Sequence, residues 1–381
     1  MKEIITADWH IGQTSDSFVE DNGQERSINE TEKQMYCILD YAIENKIKKI
    51  NILGDIFETQ NPIAKHNEIF NKFLKKCNSL GIEVILVAGN HCQNNSGGVS
   101  SISPVKKMNF ENISVFDEKI DSYTFGDINY IIIPHLTKKQ MGIENIKNYE
   151  SGQKKYIKDE VLKKIKKDKK NIIFTHIHIK GGVIGSEQKR LRGGINIFPK
   201  ISSGKIDFIF SGHLHSYQTI KMENINCFYP GSITRNDFSE CKEDKGFIVF
   251  NNEKLSVDFV KLKTTDYKVV RINLIEKGNI NLNEEKVKKS VNKKIVKIVI
   301  DISEDNKKRI NLEDIINIFS KYCFVAKTEV NVIKKEIKIS EIKSYNPINV
   351  FKSHIKNNVE NKEQRIFVLN KGVEILTELY K

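Results

Sequence analysis

The sequence predicts an α/β protein that gathers a polar site at the carboxyl ends of several strands. Three observations predict it. Five short, β-rich apolar runs recur along residues 1–263, stretches with helical apolar spacing lie between them, and each run is followed within a few residues by Asp, Asn or His. Strands are rigid posts, and the loops beyond them can converge on one point.

The first run, Ile4-Ile5-Thr6-Ala7, leads into Asp8-Trp9-His10. Residues two apart at a strand end can point the same way, so a carboxylate and an imidazole can grip one ion. A helix is expected from about Glu30 to Asn45, where Met35, Ile38, Leu39, Ala42 and Ile43 recur near helical spacing. The run Ile50–Leu53 then precedes Gly54-Asp55. The glycine lets the turn bring a carboxylate near another backbone, where Asp55 can bridge two ions; the alternative is a turn or helix N-cap Asp.

A second helix is expected from about Lys65 to Leu80 on Ile69, Phe73 and Leu74, and Val84–Val87 then leads to Gly89-Asn90-His91. This tripeptide supplies an amide oxygen and an imidazole from adjacent residues, and we assign Asn90 to a second metal and His91 to the substrate. Lys154 to Lys170 carries nine Lys against three acids, read as a helix whose face is either solvated or tracks phosphates. The run Ile172–Thr175 ends at His176, preferred as a ligand over its rival His178 because it lies immediately at the strand end. Last, Phe208–Ser211 precedes Gly212-His213-Leu214-His215, whose two histidines can reach one metal each. Burying both without partners would cost several kcal/mol.

After residue 263 the pattern changes. Tyr267 to Ile275 and Lys294 to Ile302 alternate like half-buried strands, Asn311 and Asp314 resemble a capping box opening a helix through Tyr322, and Phe324 to Ile333 returns to strand pattern. Residues 264–343 therefore read as a small α+β domain. In the final segment, 344–381, Asn346 is placed as N-cap with Pro347 at the first helical position. Ile348, Phe351, Ile355 and Val359 form one stripe, and Ile366, Leu369, Val373, Leu376 and Tyr380 a second. Two short helices with apolar faces need covering, either by their own domain or by a partner protein.

Composition bounds the function. Apolar residues make up 39% and charged residues 29%, ordinary for a globular protein, and no apolar run approaches the ~20 residues of a membrane span. Asp8 follows Met1 too closely for a signal peptide to precede it, and the six cysteines show no close pairing such as C-x-x-C. Reduced thiols in a cytoplasm fit. The net charge of +13 favours a polyanion such as nucleic acid, although a chain rich in Lys, Asn and Ile can acquire such a charge from compositional bias alone.

Taken together, Asp8, His10, Asp55, Asn90, His176, His213 and His215 are the ligand types that hard or borderline divalent cations prefer, and two cations ~3.5–4 Å apart can clamp the attacking and leaving oxygens of a phosphoryl transfer. The order D-x-H, G-D, G-N-H, H and G-H-x-H resembles the calcineurin-like metallophosphoesterases over roughly residues 1–250. Further segments are similar to the SbcD type, the nuclease subunit of a double-strand-break repair complex: Asp8-Trp9-His10-Ile11-Gly12, Gly54-Asp55-Ile56-Phe57-Glu58 with Pro62, and Tyr229-Pro230-Gly231-Ser232 followed by Arg235, Asp237-Phe238, Glu240 and Lys245-Gly246.

The resemblance implies a four-layer αββα sandwich over residues 1–263, with 264–343 as a DNA-capping domain and the terminal helices as a docking segment for a coiled-coil SbcC-type ATPase. It further implies that Asp8, His10 and His215 hold one manganese and Asn90, His176 and His213 the other, with Asp55 bridging. His91 would stabilise or protonate the leaving group. DNA would be the substrate, cut by exonuclease action on duplex ends and endonuclease action on single strands or hairpins, and a homodimer is expected. One departure stands out: the family usually has Asp after the G-N-H histidine, and this chain has Cys92. A carboxylate behind a histidine orients it, whereas a thiol is a weak partner, so Cys92 is expected to shift the pH dependence of cleavage more than metal affinity, unless another residue supplies the acid. The competing functions are hydrolysis of a small diester, nucleotide or phosphoprotein, and a metal-binding scaffold without catalysis.

Overall fold

The computed structural model describes residues 1–21, 23–93, 99–144, 147–185, 206–222, 225–276, 282–333, 347–359 and 361–379. The expected N-cap Asn346 and the stripe residue Tyr380 lie outside them. Among the described residues, twelve strands build the first part of the chain: β1 (Lys2–Thr6), β2 (Lys49–Leu53), β3 (Glu83–Val87), β4 (Ile113–Phe116), β5 (Asp121–Phe125), β6 (Ile128–Ile133), β7 (Lys170–His176), β8 (Phe208–Gly212), β9 (Gln218–Met222), β10 (Ile225–Tyr229), β11 (Gly246–Asn251) and β12 (Ser256–Lys261). They form two six-stranded sheets, ordered β12-β11-β1-β2-β3-β4 and β5-β6-β7-β8-β10-β9. β1 to β4 run parallel, as do β6, β7, β8 and β10, with antiparallel strands at the edges.

Both faces of the central strands are apolar because both are covered, which is what parallel strands require. Along β2 and β3, Ile50, Ile52, Val84 and Leu86 pack outward on the helices, while Leu53, Ile85 and Val87 face inward. The inward set meets Phe174, Phe210 and Phe250, so the two sheets pack face to face. Helices α1 (Arg26–Glu44) and α2 (Ala64–Ser79) cover the first sheet, and α3 (Tyr149–Lys164) covers the second through Ile157 and Val161. This is the four-layer αββα sandwich.

Two helices depart from their expected bounds. α1 starts four residues before Glu30, through a polar stretch in which buried Arg26 pairs with Glu30 at 2.6 Å and donates to Thr265 Oγ1 at 2.7 Å. α3 begins at Tyr149, where the Asn148 side chain caps Ser151 N–H, and ends at Lys164. Asn171 then takes the Lys166 N–H and donates to the Lys166 carbonyl, holding the lysine-rich remainder in a turn that leads into β7.

The rest of the chain has a three-stranded parallel sheet, β13 (Tyr267–Leu274), β14 (Ile295–Ser303) and β15 (Phe324–Ile333), with α4 (Glu284–Val291), α5 (Glu304–Lys307) and α6 (Leu312–Ser320). Val287, Val291, Ile315 and Phe319 close its core. α7 (Pro347–Asn358) and α8 (Lys362–Leu379) pack on each other, the Phe351 ring lying where a side chain at Gly372 would be, yet Val350, Ile366, Phe367, Ile375 and Leu379 stay exposed. Among the described residues no helix is long and apolar enough to cross a membrane, and the six cysteines are free thiols.

Close approach of loops leaves no room for side chains at certain glycines. Gly54 has φ +90° and faces the His176 ring, and a Cβ on Gly89 would lie 2.1 Å from Asp55 Oδ1. At the opposite end of the sandwich, buried Glu3 accepts from Tyr130 Oη at 2.7 Å and Asn51 Nδ2 at 2.9 Å. Burial raises the Glu3 carboxyl above its ordinary value, against the lowering influence of Lys49 and these donors.

Gly89→Ala is expected to cost about 1–3 kcal/mol, as overpacking does, and to displace the Asp55 carboxylate; urea unfolding and metal content read the two effects. For Glu3, a folded-state value above the unfolded one means that its contribution is fully present below the ordinary carboxyl range and is lost as pH rises through the raised value. The melting temperature of Glu3→Gln relative to wild type should therefore climb by on the order of a few °C between pH 4.5 and 7.5, as read by calorimetry.

Candidate metal centre

Beyond the ends of β1 and β2 the chain stays zipped. Asp8 N–H donates to the Gly54 carbonyl at 3.1 Å, His10 N–H to that of Asp55 at 3.0 Å, and Ile11 N–H to that of Ile56 at 2.9 Å. Trp9 is fully buried, its indole N–H on Thr6 Oγ1 at 2.9 Å and its ring edge-on to Phe73. That anchor on the helix side leaves Asp8 and His10 for the other. Asp8, His10, Asp55 and His213 have φ of +54°, +46°, +45° and +94°, a region that side chains other than glycine enter at a cost of ~1–3 kcal/mol each. Such strain is held in place by the surrounding hydrogen bonds and clusters at functional sites.

The predicted ligands fall into two adjoining groups. Asp8, His10 and His215 form one, with the two imidazole Nε2 atoms 3.1 Å apart. Asp55, His176 and His213 form the other, where His176 Nε2 lies 3.1 Å from both Asp55 Oδ2 and Asn90 Oδ1, and His213 Nδ1 lies 2.8 Å from that same amide oxygen. Asp8 Oδ1 is 4.0 Å from His176 Nε2, so the groups adjoin.

Partners on the far side of each ring fix which nitrogen carries the lone pair. His10 Nδ1 is bonded to Glu58 Oε2 at 2.8 Å, His215 Nδ1 to Glu240 Oε1 at 2.9 Å, and His176 Nδ1 to the Leu53 carbonyl at 2.7 Å. An oxygen acceptor requires the N–H at Nδ1, so in the neutral rings Nε2 is bare. The His10 and His215 lone pairs then face each other, and that of His176 faces two oxygens. Acceptors converging this way repel unless positive charge lies among them.

Without a cation a proton supplies that charge. Burial alone would lower His176, but the Asp55 carboxylate and its hydrogen bond carry it up to about 9. Burial is likewise outweighed at His215 by the hydrogen bond and charge of Glu240, again to about 9. Glu240 is itself buried, yet His215 and Lys245 hold it down at about 2. Carboxylate, amide oxygen and imidazole in this arrangement are a donor set that fits borderline divalent cations.

His91 lies beside these groups. Its N–H donates to Asp55 Oδ1 at 2.8 Å and its Nδ1 meets the Glu58 carbonyl at 2.6 Å. It lines a cleft of about 580 Å³ with Glu58, Thr59, Gln60, Asn61, Asn90 and His135. Cys92 packs in the apolar cluster beneath the helices, where burial pushes its thiol up to about 11. The ring nitrogen of His91 thus takes its partner from Glu58. His178 is outside both groups and hydrogen-bonds with the Gly182 backbone.

Sequence reasoning gave no role to Glu58, Glu240 or His135. The first two stood inside quoted motifs, but their function depends on which histidine they meet. The Tyr229 to Gly246 stretch proves to be the seat of His215, whose carbonyl accepts from Ser232 N–H at 3.0 Å and Lys245 Nζ at 2.9 Å.

Residues 1–217 match the family model of the calcineurin-like phosphoesterases. The chain is 26% identical over 280 residues to the SbcD component of the nuclease SbcCD from Staphylococcus epidermidis, covering 69% of this chain and 70% of that protein. This likeness supports an SbcD-type assignment. A dimetal phosphatase from Danio rerio aligns over 65% of this chain and 91% of its own at 9% identity and a TM-score of 0.43. An archaeal phosphodiesterase aligns over 69% and 100% at 13% identity and a TM-score of 0.35. With a family model covering more than half of its length, the chain belongs to the calcineurin-like phosphoesterases and is a metal-dependent phosphoester hydrolase.

Proposed function

We propose that the protein is a two-metal DNA phosphodiesterase of the SbcD type. The observation that carries the metal reading is the convergence of the His10 and His215 Nε2 atoms, 3.1 Å apart, with Asp8 completing their group. Asp8, His10 and His215 would hold one cation, Asn90, His176 and His213 the other, and Asp55 would lie between them. Bound there, two divalent ions, manganese in our reading, would neutralise phosphate charge and acidify a water. The protein's part is to orient. Glu58 and Glu240 fix the rings of His10 and His215, and the Glu58 carbonyl holds the His91 Nδ1 proton so that Nε2 is the atom turned to the substrate. His91 Nε2, once protonated, would give its proton to the departing 3′ oxygen.

The DNA substrate is supported by the likeness to the SbcD component and by the net charge of +13. We read exonuclease action on duplex ends and endonuclease action on single strands or hairpins, in a cytoplasmic homodimer serving break repair. Residues 1–263 would be the nuclease domain, 264–343 the DNA-capping domain and 344–381 the docking segment for an SbcC-type coiled-coil ATPase. The exposed Val350, Ile366, Phe367, Ile375 and Leu379 on α7 and α8 favour that docking role.

In a manganese titration of DNA cleavage, wild type should be activated, and Asp8→Ala should lose about a thousandfold or more in kcat together with metal. Turnover of a small diester with no action on DNA would overturn the substrate. Deleting residues 347–381 should abolish co-purification with a co-expressed coiled-coil ATPase while leaving metal content unchanged. Persistent co-purification would refute the docking site.

A further inference from the structure

His135 follows β6 at the rim of the second sheet, and the backbone around it is tied to the loop that carries Asn90 and His91. Its N–H donates to the Ala88 carbonyl at 2.8 Å, just before Gly89-Asn90-His91. Its carbonyl accepts from Gln93 Nε2 at 3.0 Å, just after them. Gln93 is almost fully buried and also donates to the Asp117 carbonyl at 2.7 Å. The loop is therefore clamped to residue 135 on both sides of Asn90 and His91, and whatever side chain stands there is held at a fixed distance from them.

That side chain is an imidazole on the wall of the cleft formed by Glu58, Thr59, Gln60, Asn61, Asn90 and His91. Among the described residues neither of its ring nitrogens has a hydrogen-bond partner, in contrast to His10, His91, His176, His213 and His215. A polar group on a rigid mount facing a cleft, with its hydrogen-bonding capacity unspent, is what a substrate contact requires. The cleft's volume of about 580 Å³ falls within the range of small-molecule sites, and its lining is rich in amides and hydroxyl.

We propose that His135 contacts the substrate, donating a ring N–H hydrogen bond to the phosphodiester on the leaving-group side of the scissile bond, the side on which His91 stands. The inference rests on the phosphodiesterase reading and deepens it. A donor aimed at charge that develops on a leaving oxygen strengthens in the transition state. It matters most for a poor leaving group such as a sugar alkoxide and little for a nitrophenolate, which departs unaided.

The test compares wild type, His135→Phe and His135→Gln as full-length chains with manganese, reading metal content, melting temperature, kcat and KM on single-stranded DNA and on bis(p-nitrophenyl) phosphate. Phe keeps a ring of similar size without a donor, and Gln keeps a donor. The expected result is unchanged metal content, a fall of about tenfold or more in kcat/KM on DNA for Phe, substantial recovery in Gln, and a much smaller fall on the nitrophenyl ester. The proposal is overturned if Phe cleaves DNA as well as wild type, if both variants fall equally on both substrates, or if the loss tracks lost metal. Should wild type hydrolyse the nitrophenyl ester and ignore DNA, the DNA reading fails by itself. His135 is then judged by the same variants on two small diesters, one with a nitrophenolate and one with an alkoxide leaving group.

Discussion

The carboxylates of Glu58 and Glu240 hold the Nδ1 protons of His10 and His215, and by doing so turn the two Nε2 atoms toward each other, 3.1 Å apart. Such a pair needs positive charge between its nitrogens, a proton or a cation, and the carboxylates around it favour that charge: Glu240 helps carry His215 up to about 9, and Asp8 and Asp55 lie close by. The rest of the molecule keeps this arrangement from relaxing. β1 and β2 continue their pairing past the strand ends, Trp9 is locked beneath the helices, and Ser232 and Lys245 grip the His215 carbonyl. Nitrogen and oxygen donors held this firmly toward one point are a donor set suited to divalent cations.

Face-to-face packing of the sheets is what creates the site. The first sheet delivers Asp8, His10, Asp55 and Asn90 from the ends of β1, β2 and β3, and the second delivers His176, His213 and His215 from β7 and β8. Neither sheet alone supplies either group of ligands. The seam must therefore be tight at this end, which is why Gly54 and Gly89 lie where a Cβ would strike His176 or Asp55. Positive φ at Asp8, His10, Asp55 and His213 is the local cost of bending three loops toward one place.

Much of this was legible because the chemistry sits directly on the secondary structure. Apolar runs marked β1, β2, β3, β7 and β8, and the ligand types stood at their ends, so strand geometry allowed convergence and the order of the motifs pointed to it. The helices were legible where an apolar stripe existed, as in α2, and misplaced where polar contacts set the bounds. Arg26 extends α1 through Glu30 and Thr265, and Asn171 ends the lysine-rich stretch before β7. Glu58 and Glu240 were hidden for another reason: a carboxylate declares its purpose only when its histidine is known, and Glu240 is 25 positions from His215. His135 had no motif at all, since its place depends on contacts with Ala88 and Gln93.

The central claim is that these loops cage a pair of cations, and anomalous diffraction from a crystal grown in excess manganese tests it most directly. The account predicts two peaks ~3.5–4 Å apart, one against the Nε2 atoms of His10 and His215, the other against His176 Nε2 and the Asn90 oxygen, with Asp55 between. A single peak elsewhere, or ligand side chains turned away from an empty density, would contradict it.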